Sequence, residues 1–142
     1  MAMALLRARL ARDASRQDWQ VSSMGVWATD GEPASAHATD AMAERGLDLR
    51  AHRARRVSRE MMAQADLVLV MTQSHAESLQ AAFPDHAHKV YLLAEMVGQA
   101  YDIRDPYGGS RQEYALVAEE LERLIENGYE RIVTLVDGSP DG

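Results

Sequence analysis

The chain has 142 residues, 15 Lys and Arg against 22 Asp and Glu for a formal net charge of -7, 46% apolar residues and no cysteine. That length suits one domain with one buried core, and no stretch approaches the roughly 18 apolar residues that a membrane-spanning helix needs. Without cysteine these residues offer no disulfide, no thiolate metal site and no thiol chemistry, while the negative balance argues against nucleic acid as a partner.

Residues 2–13 place Leu5, Leu6 and Leu10 on one face and predict an amphipathic helix with no strand ahead of it. Gln20-Val21-Ser22-Ser23-Met24-Gly25 reads as a strand, and Gly31, Glu32 and Pro33 mark the loop after it. Ser35 is placed to cap a helix that runs to Met42 and is closed by Gly46. A basic cluster follows, Arg50, Arg53, Arg55, Arg56 and Arg59, suited either to solvent or to an acidic substrate or partner. Ser58 to Ala65 predicts a short helix, and the apolar run Leu67-Val68-Leu69-Val70-Met71 suits a parallel strand buried on both faces.

Thr72 or Ser74 caps the next helix, which carries Leu79 and Phe83 and stops at Pro84. A second buried strand spans Val90-Tyr91-Leu92-Leu93. Ser110 and Glu113 have capping-box spacing ahead of Val117, Leu121, Leu124 and Ile125, and Asn127-Gly128 is expected to end that helix. Arg131 to Val136 is either a further strand or a docked tail, followed by a flexible tail over 137–142. From Asp105 onward nine acids face three bases, so the acidity concentrates in the last helix.

Strands alternating with helices imply an α/β fold, a three-layer open parallel sheet with helices on both faces, in a single domain over 1–136. Such sheets bind ligands at the carboxyl ends of their strands, which directs attention to the loops after Met24, Met71 and Leu93. Asp105-Pro106-Tyr107-Gly108-Gly109-Ser110 has the make-up of an acid loop, because Pro106 biases Asp105 towards extended backbone that could project its carboxyl inward. Tyr107 and Trp27 could form aromatic walls around a phenyl ring. His86 and His88, with His75 and His37 elsewhere, suggest no third ligand, so no metal site is expected. Gly108-Gly109 is not a phosphate-cradling loop of the kind that carries a lysine.

Five blocks in chain order resemble the low-molecular-weight protein tyrosine phosphatases. They are Ser22-Ser23-Met24-Gly25, Gly31-Glu32-Pro33-Ala34, Gly46-Leu47-Asp48-Leu49 followed by His52 and Arg55, Ala65-Asp66 before the strand ending in Met71, and Asp105-Pro106-Tyr107. The resemblance implies the phosphotyrosine protein phosphatase I-like fold. It also implies hydrolysis of phosphotyrosine-containing proteins or aryl phosphates through a cysteinyl-phosphate, without cofactor. By the same resemblance Asp105 is the general acid, Tyr107 and Trp27 contact substrate, Ser23 and His52 support the phosphate loop by hydrogen bonding, and Arg55 has a structural role. A cytoplasmic setting without membrane partners is expected, since the first residues lack a secretory-signal pattern.

In that family a first strand and a loop of cysteine, five residues and arginine precede a helix, which here corresponds to Met1 to Asp13. The expectation is therefore an N-terminally truncated phosphatase domain, lacking its first strand and inactive as it stands. The alternative is a non-catalytic pseudophosphatase that acts as a binding or regulatory module. Arsenate reduction, known in related folds, needs redox cysteines and is excluded for these residues.

Overall fold

The computed structural model describes residues 1–26 and 28–138; Trp27 and residues 139–142, where most of the expected tail falls, lie outside the described residues. In chain order the elements are α1 (Ala2–Ala11), α2 (Ala36–Ala43), α3 (Arg59–Gln64), β1 (Val68–Val70), α4 (Gln73–Ala82), β2 (Val90–Leu92) and α5 (Arg111–Asp137). Short 3-10 turns cover Ala14–Arg16, Pro84–Lys89 and Leu93–Val97. Four helices begin where a hydroxyl side chain accepts a backbone N–H of the first turn. Ser35 takes Ala38, Ser58 takes Met61, Thr72 takes His75 and Ser110 takes Glu113, each at 3.2 Å. Such caps are worth about 0.5–2 kcal/mol each, and at α4 the choice between Thr72 and Ser74 falls on Thr72.

The chain divides into two compact units, Met1–Arg56 with Asp105–Glu126, and Val57–Arg104 with Asn127–Gly142. In the first, Leu5 and Leu10 of α1, Ala41 and Met42 of α2, and Tyr114, Ala118, Leu121, Leu124 and Ile125 of α5 are buried. Carboxylates of α5 are answered by arginines at or just past the ends of α1 and α2: Glu126 by Arg9 and Arg12, and Glu122 by Arg45. Gly46 has φ of +73° and carries the chain out of α2, with Leu47 N donating to Met42 O at 2.9 Å.

In the second unit β1 and β2 pair in parallel, with Val68, Leu69 and Val70 opposite Val90, Tyr91 and Leu92. The α/β class with a parallel sheet is thus the one found, and the described sheet has two strands. Its core collects Met62, Val68, Val70, Leu79, Val90, Leu92, Leu93 and Ile103. The six-residue α3 is too short to persist on propensity alone. Lys89, buried at 3% exposure, donates from Nζ to Met62 O and Ala63 O at 3.2 Å and so places a cation on the last carbonyls of that helix.

Two expectations fail. Residues 20–25 do not form a strand: among the described residues that segment has only an isolated parallel bridge of Gly25 to Arg56, and Val21 O accepts from Arg7 Nε at 2.8 Å instead of from a ladder partner. The last helix does not stop at Asn127-Gly128 but continues to Asp137, so 131–136 is neither strand nor docked tail. The cause is the buried stripe Tyr114, Ala118, Leu121, Ile125, which continues at helical spacing through Tyr129 and Ile132. Fully burying each large apolar side chain contributes about 1.5–3 kcal/mol, against about 1 kcal/mol for a mid-helix glycine.

Gly128 has a packing role of its own. A Cβ built there would lie 2.6 Å from Met96 Cβ and 3.2 Å from Met96 backbone atoms, so the missing side chain lets α5 approach the Leu93–Val97 turn. Gly128→Ala should therefore destabilise by about 1–2 kcal/mol in urea unfolding, because overpacking of about 1–3 kcal/mol exceeds the propensity gain of up to about 1 kcal/mol. A stabilised variant would show that the contact is not close-packed.

Candidate active site

The segment 53–56 holds the chain on either side of it. Gly25 N donates to Arg55 O at 2.9 Å, Gly31 N donates to Ala54 O at 2.9 Å, and Ala54 N donates to Glu32 O at 2.7 Å. Arg56 N donates to Asp30 Oδ1 at 2.6 Å, and Pro33 bridges antiparallel to Arg53. Gly31 has φ of +89°, a backbone conformation that only glycine enters without strain.

This lacing places Ser23 and His52 on one cavity of about 200 Å³, lined also by Met1–Met3 of α1 and by Ala34, Ala38 and Leu49. The amides of the first turn of α1 have no acceptor within their own helix, and the positive end of its dipole favours an anion there. His52 N is fixed by Leu49 O at 3.0 Å. Its imidazole is held below the ordinary histidine range first by burial, then by the positive charges of the amino terminus, Arg7, Arg53 and Arg55. A neutral imidazole and a hydroxyl on one wall can each donate and accept a hydrogen bond.

Asp105 and Tyr107 stand together on the loop ahead of α5 and are not among the residues lining that cavity. Ile103 N donates to Met71 O at 2.9 Å, just past the carboxyl end of β1, and Asp102 Oδ1 accepts from Gln73 N at 2.8 Å. Within the loop Asp105 Oδ1 accepts from Tyr107 N at 3.0 Å, and Gly109 N donates to Pro106 O at 2.8 Å. Gly108 at φ of +79° supplies the positive-φ corner of that turn. Asp105 is exposed and Tyr107 is 82% exposed, so both face solvent for a ligand to meet. Trp27, the other expected aromatic wall, lies outside the described residues.

A wider groove of about 490 Å³ runs between α1 and residues 16–22 and contains none of the candidate site residues. Arg55 donates from Nη2 to Ser23 O at 3.5 Å, a long bond. Sequence reasoning did not single out Arg7, whose charge acts on His52. An arginine on an amphipathic helix carries no local mark of such a role, and only the packing of α1 against residues 21–23 reveals it.

A profile of the family described as low molecular weight phosphotyrosine protein phosphatase matches residues 1–134. The protein-arginine-phosphatase of Geobacillus stearothermophilus is 36% identical over 116 residues, covering 81% of this chain and 78% of its own length. A crystal structure of the low molecular weight protein tyrosine phosphatase of T. tengcongensis superposes with TM-score 0.84 at 38% identity, over 92% of this chain and 88% of that one. An arginine phosphatase with a cysteine-to-serine replacement, described with its active-site serine phosphorylated, superposes with TM-score 0.86 at 33% identity, over 94% of this chain and 86% of that one.

Because burial and neighbouring cations oppose its protonation, His52 should titrate in an NMR pH series below the ordinary imidazole value of about 6.5. Arg53→Gln and Arg7→Gln should each move that midpoint upward. Native stability that depends on neutral His52 is fully present above about pH 6.5 and is lost as the pH falls towards the lowered native value. A midpoint at or above 6.5 would contradict the arrangement.

Proposed function

Since this chain belongs to the low molecular weight phosphotyrosine protein phosphatase family, we propose that its residues form the acid loop and pocket wall of a site that cleaves phosphotyrosine in cytoplasmic proteins. The observation that carries the reading is the meeting of Ser23 and His52 on one cavity with the first turn of α1. In the proposed chemistry a thiolate attacks phosphorus in line, the sulfur–phosphorus bond forms, and the ester phosphorus–oxygen bond breaks. Asp105 gives its proton to the departing phenolate. As carboxylate it then takes a proton from the water that attacks the cysteinyl-phosphate and releases the thiolate. Tyr107, and Trp27 by family resemblance, would flank the phenyl ring, while Ser23 and His52 would hold the phosphate-binding loop through hydrogen bonds.

The 142 residues contain no cysteine, so they supply no thiolate and by this route should not turn over substrate. The same fact favours a second reading, a non-catalytic module of the family that binds or regulates phosphoproteins. The leaving group is a separate matter. Relatives 36% and 38% identical to this chain are named protein-arginine-phosphatases, which supports phosphoarginine as the competing substrate class.

The test compares the 142-residue chain with a form given a thiolate-bearing phosphate loop ahead of α1. The first should show no p-nitrophenyl phosphate hydrolysis above an inert control, and the second should gain it. In the gained activity Asp105→Asn should lower kcat about 10²- to 10⁴-fold for a substrate with a poor leaving group, and a substitution without effect would remove Asp105 from the mechanism. Phosphotyrosine and phosphoarginine peptides compared by kcat/KM decide the substrate class. Saturable binding of phosphotyrosine peptide by the unmodified chain, without turnover, would favour the binding module.

A further inference from the structure

In the first unit most arginines are answered by carboxylates, yet Arg7, Arg53 and Arg55, whose charges act on His52, are not. Arg9 and Arg12 meet Glu126, Arg45 meets Glu122, Arg111 meets Glu44, and Arg50 meets Asp48 at 2.9 Å. The Asp48 carboxyl is held down at about 2 by the side-chain and backbone hydrogen bonds of Arg50. Arg7, Arg53 and Arg55 are exposed and have no carboxylate within salt-bridge distance among the described residues; each is anchored by backbone carbonyls. Arg7 donates to Val21 O at 2.8 Å, Arg53 to His52 O at 2.7 Å and to Arg50 O at 3.0 Å, and Arg55 to Ser23 O at 3.5 Å.

A guanidinium bonded to a neutral carbonyl is positioned while its full charge remains available, and its other N–H groups stay free for a planar acceptor. Val21 and Ser23 are two residues apart, so the carbonyls that anchor Arg7 and Arg55 lie no more than about 7 Å from one another. Alternate side chains of an extended peptide repeat at about the same distance. A chain of net charge -7 thus keeps ordered cations anchored to the carbonyls of Val21, Ser23, Arg50 and His52.

We propose that Arg7, Arg53 and Arg55 form a recognition rim for an extended acidic segment of a partner protein, with carboxylates at alternate positions engaging the guanidiniums. In substrates this segment flanks the phosphorylated residue. The inference rests on the phosphatase reading for that role alone, and its test reads binding without catalysis.

Fluorescence anisotropy of the 142-residue chain with a labelled peptide alternating glutamate and alanine tests it. The peptide should bind at low ionic strength, its glutamine counterpart should not, and binding should vanish near 1 M salt, where the screening length is about 3 Å. Arg7→Gln and Arg53→Gln should each weaken binding about two- to fivefold and together about tenfold. Arg53→Lys should recover much of the loss, and Arg12→Gln, which removes an arginine already paired with Glu126, should leave binding unchanged. Equal binding of the glutamine peptide, wild-type binding by the double variant, or no binding at all would overturn the proposal. So would equal affinity for an oligothymidylate of the same charge, which would reveal a general cation surface. Failure of these arms leaves the phosphatase reading standing, because that reading is judged on turnover.

Discussion

The site depends first on the register of residues 53–56 against residues 25 and 30–33. Ala54 spends both backbone groups on one turn, accepting from Gly31 N and donating to Glu32 O, while Arg55 O and Arg56 N close on Gly25 N and on Asp30. These residues are exposed or half-buried, so each bond adds only about 0.5–1.5 kcal/mol net, and it is the four together that select this register. Alternation along an extended segment makes register decisive, because a slip of one residue sends every side chain to the opposite face. A slip here would carry His52 off the cavity. The positive φ of Gly31 is therefore part of the site although no side chain stands there.

Much of the fold was legible because its signals are local. The hydroxyl caps at Ser35, Ser58, Thr72 and Ser110, the exit of α2 at Gly46 and the two short apolar strands each depend on a few neighbouring residues, and the structure has them where sequence places them. The misreadings came where a distant partner decides. Gln20 to Gly25 reads as a strand, yet a strand exists only with a ladder partner, and Arg7 takes the carbonyl of Val21. Asn127-Gly128 has the chemistry of a helix end, but Gly128 faces Met96 closely and the apolar stripe runs on to Ile132. A glycine that ends a helix and one that admits a neighbour look alike until the neighbour is known.

The candidate site was legible in a different way. Nothing in composition separates Ser23 from other serines or His52 from other histidines; family-like blocks drew attention to both, and the fold brings them to one cavity. Asp105 stood out by itself through Asp-Pro-Tyr-Gly-Gly, a turn whose mechanics are local, with an aspartate bonded to the amide of Tyr107 and Gly108 at its corner. The charge pattern was only half legible. Sequence showed the arginine run but not which members are neutralised, since Asp48 is near Arg50 along the chain whereas Glu126 and Arg12 are 114 positions apart.

Magnitudes limit what these residues can do. Enzymes accelerate by roughly 10⁶ to 10¹⁷, and up to about 10²¹ for the hydrolysis of phosphate monoesters. A placed general acid supplies about 10² to 10⁴ of that, and aromatic walls add about 0.5–1.5 kcal/mol per contact, which discriminates among substrates more than it lowers a barrier. The first-turn amides of α1 can stabilise an anion, but stabilisation of a phosphoryl group does not replace the nucleophile that opens the reaction. Asp105, Tyr107, Ser23 and His52 are consequently groups whose value depends on an attacking atom. In the proposed reaction they protonate what leaves, contact what binds and steady what holds the phosphate. Burial and the positive charges of the amino terminus, Arg7, Arg53 and Arg55 favour the neutral form of His52 on that cavity wall. A neutral imidazole is able to accept a hydrogen bond as well as to donate one.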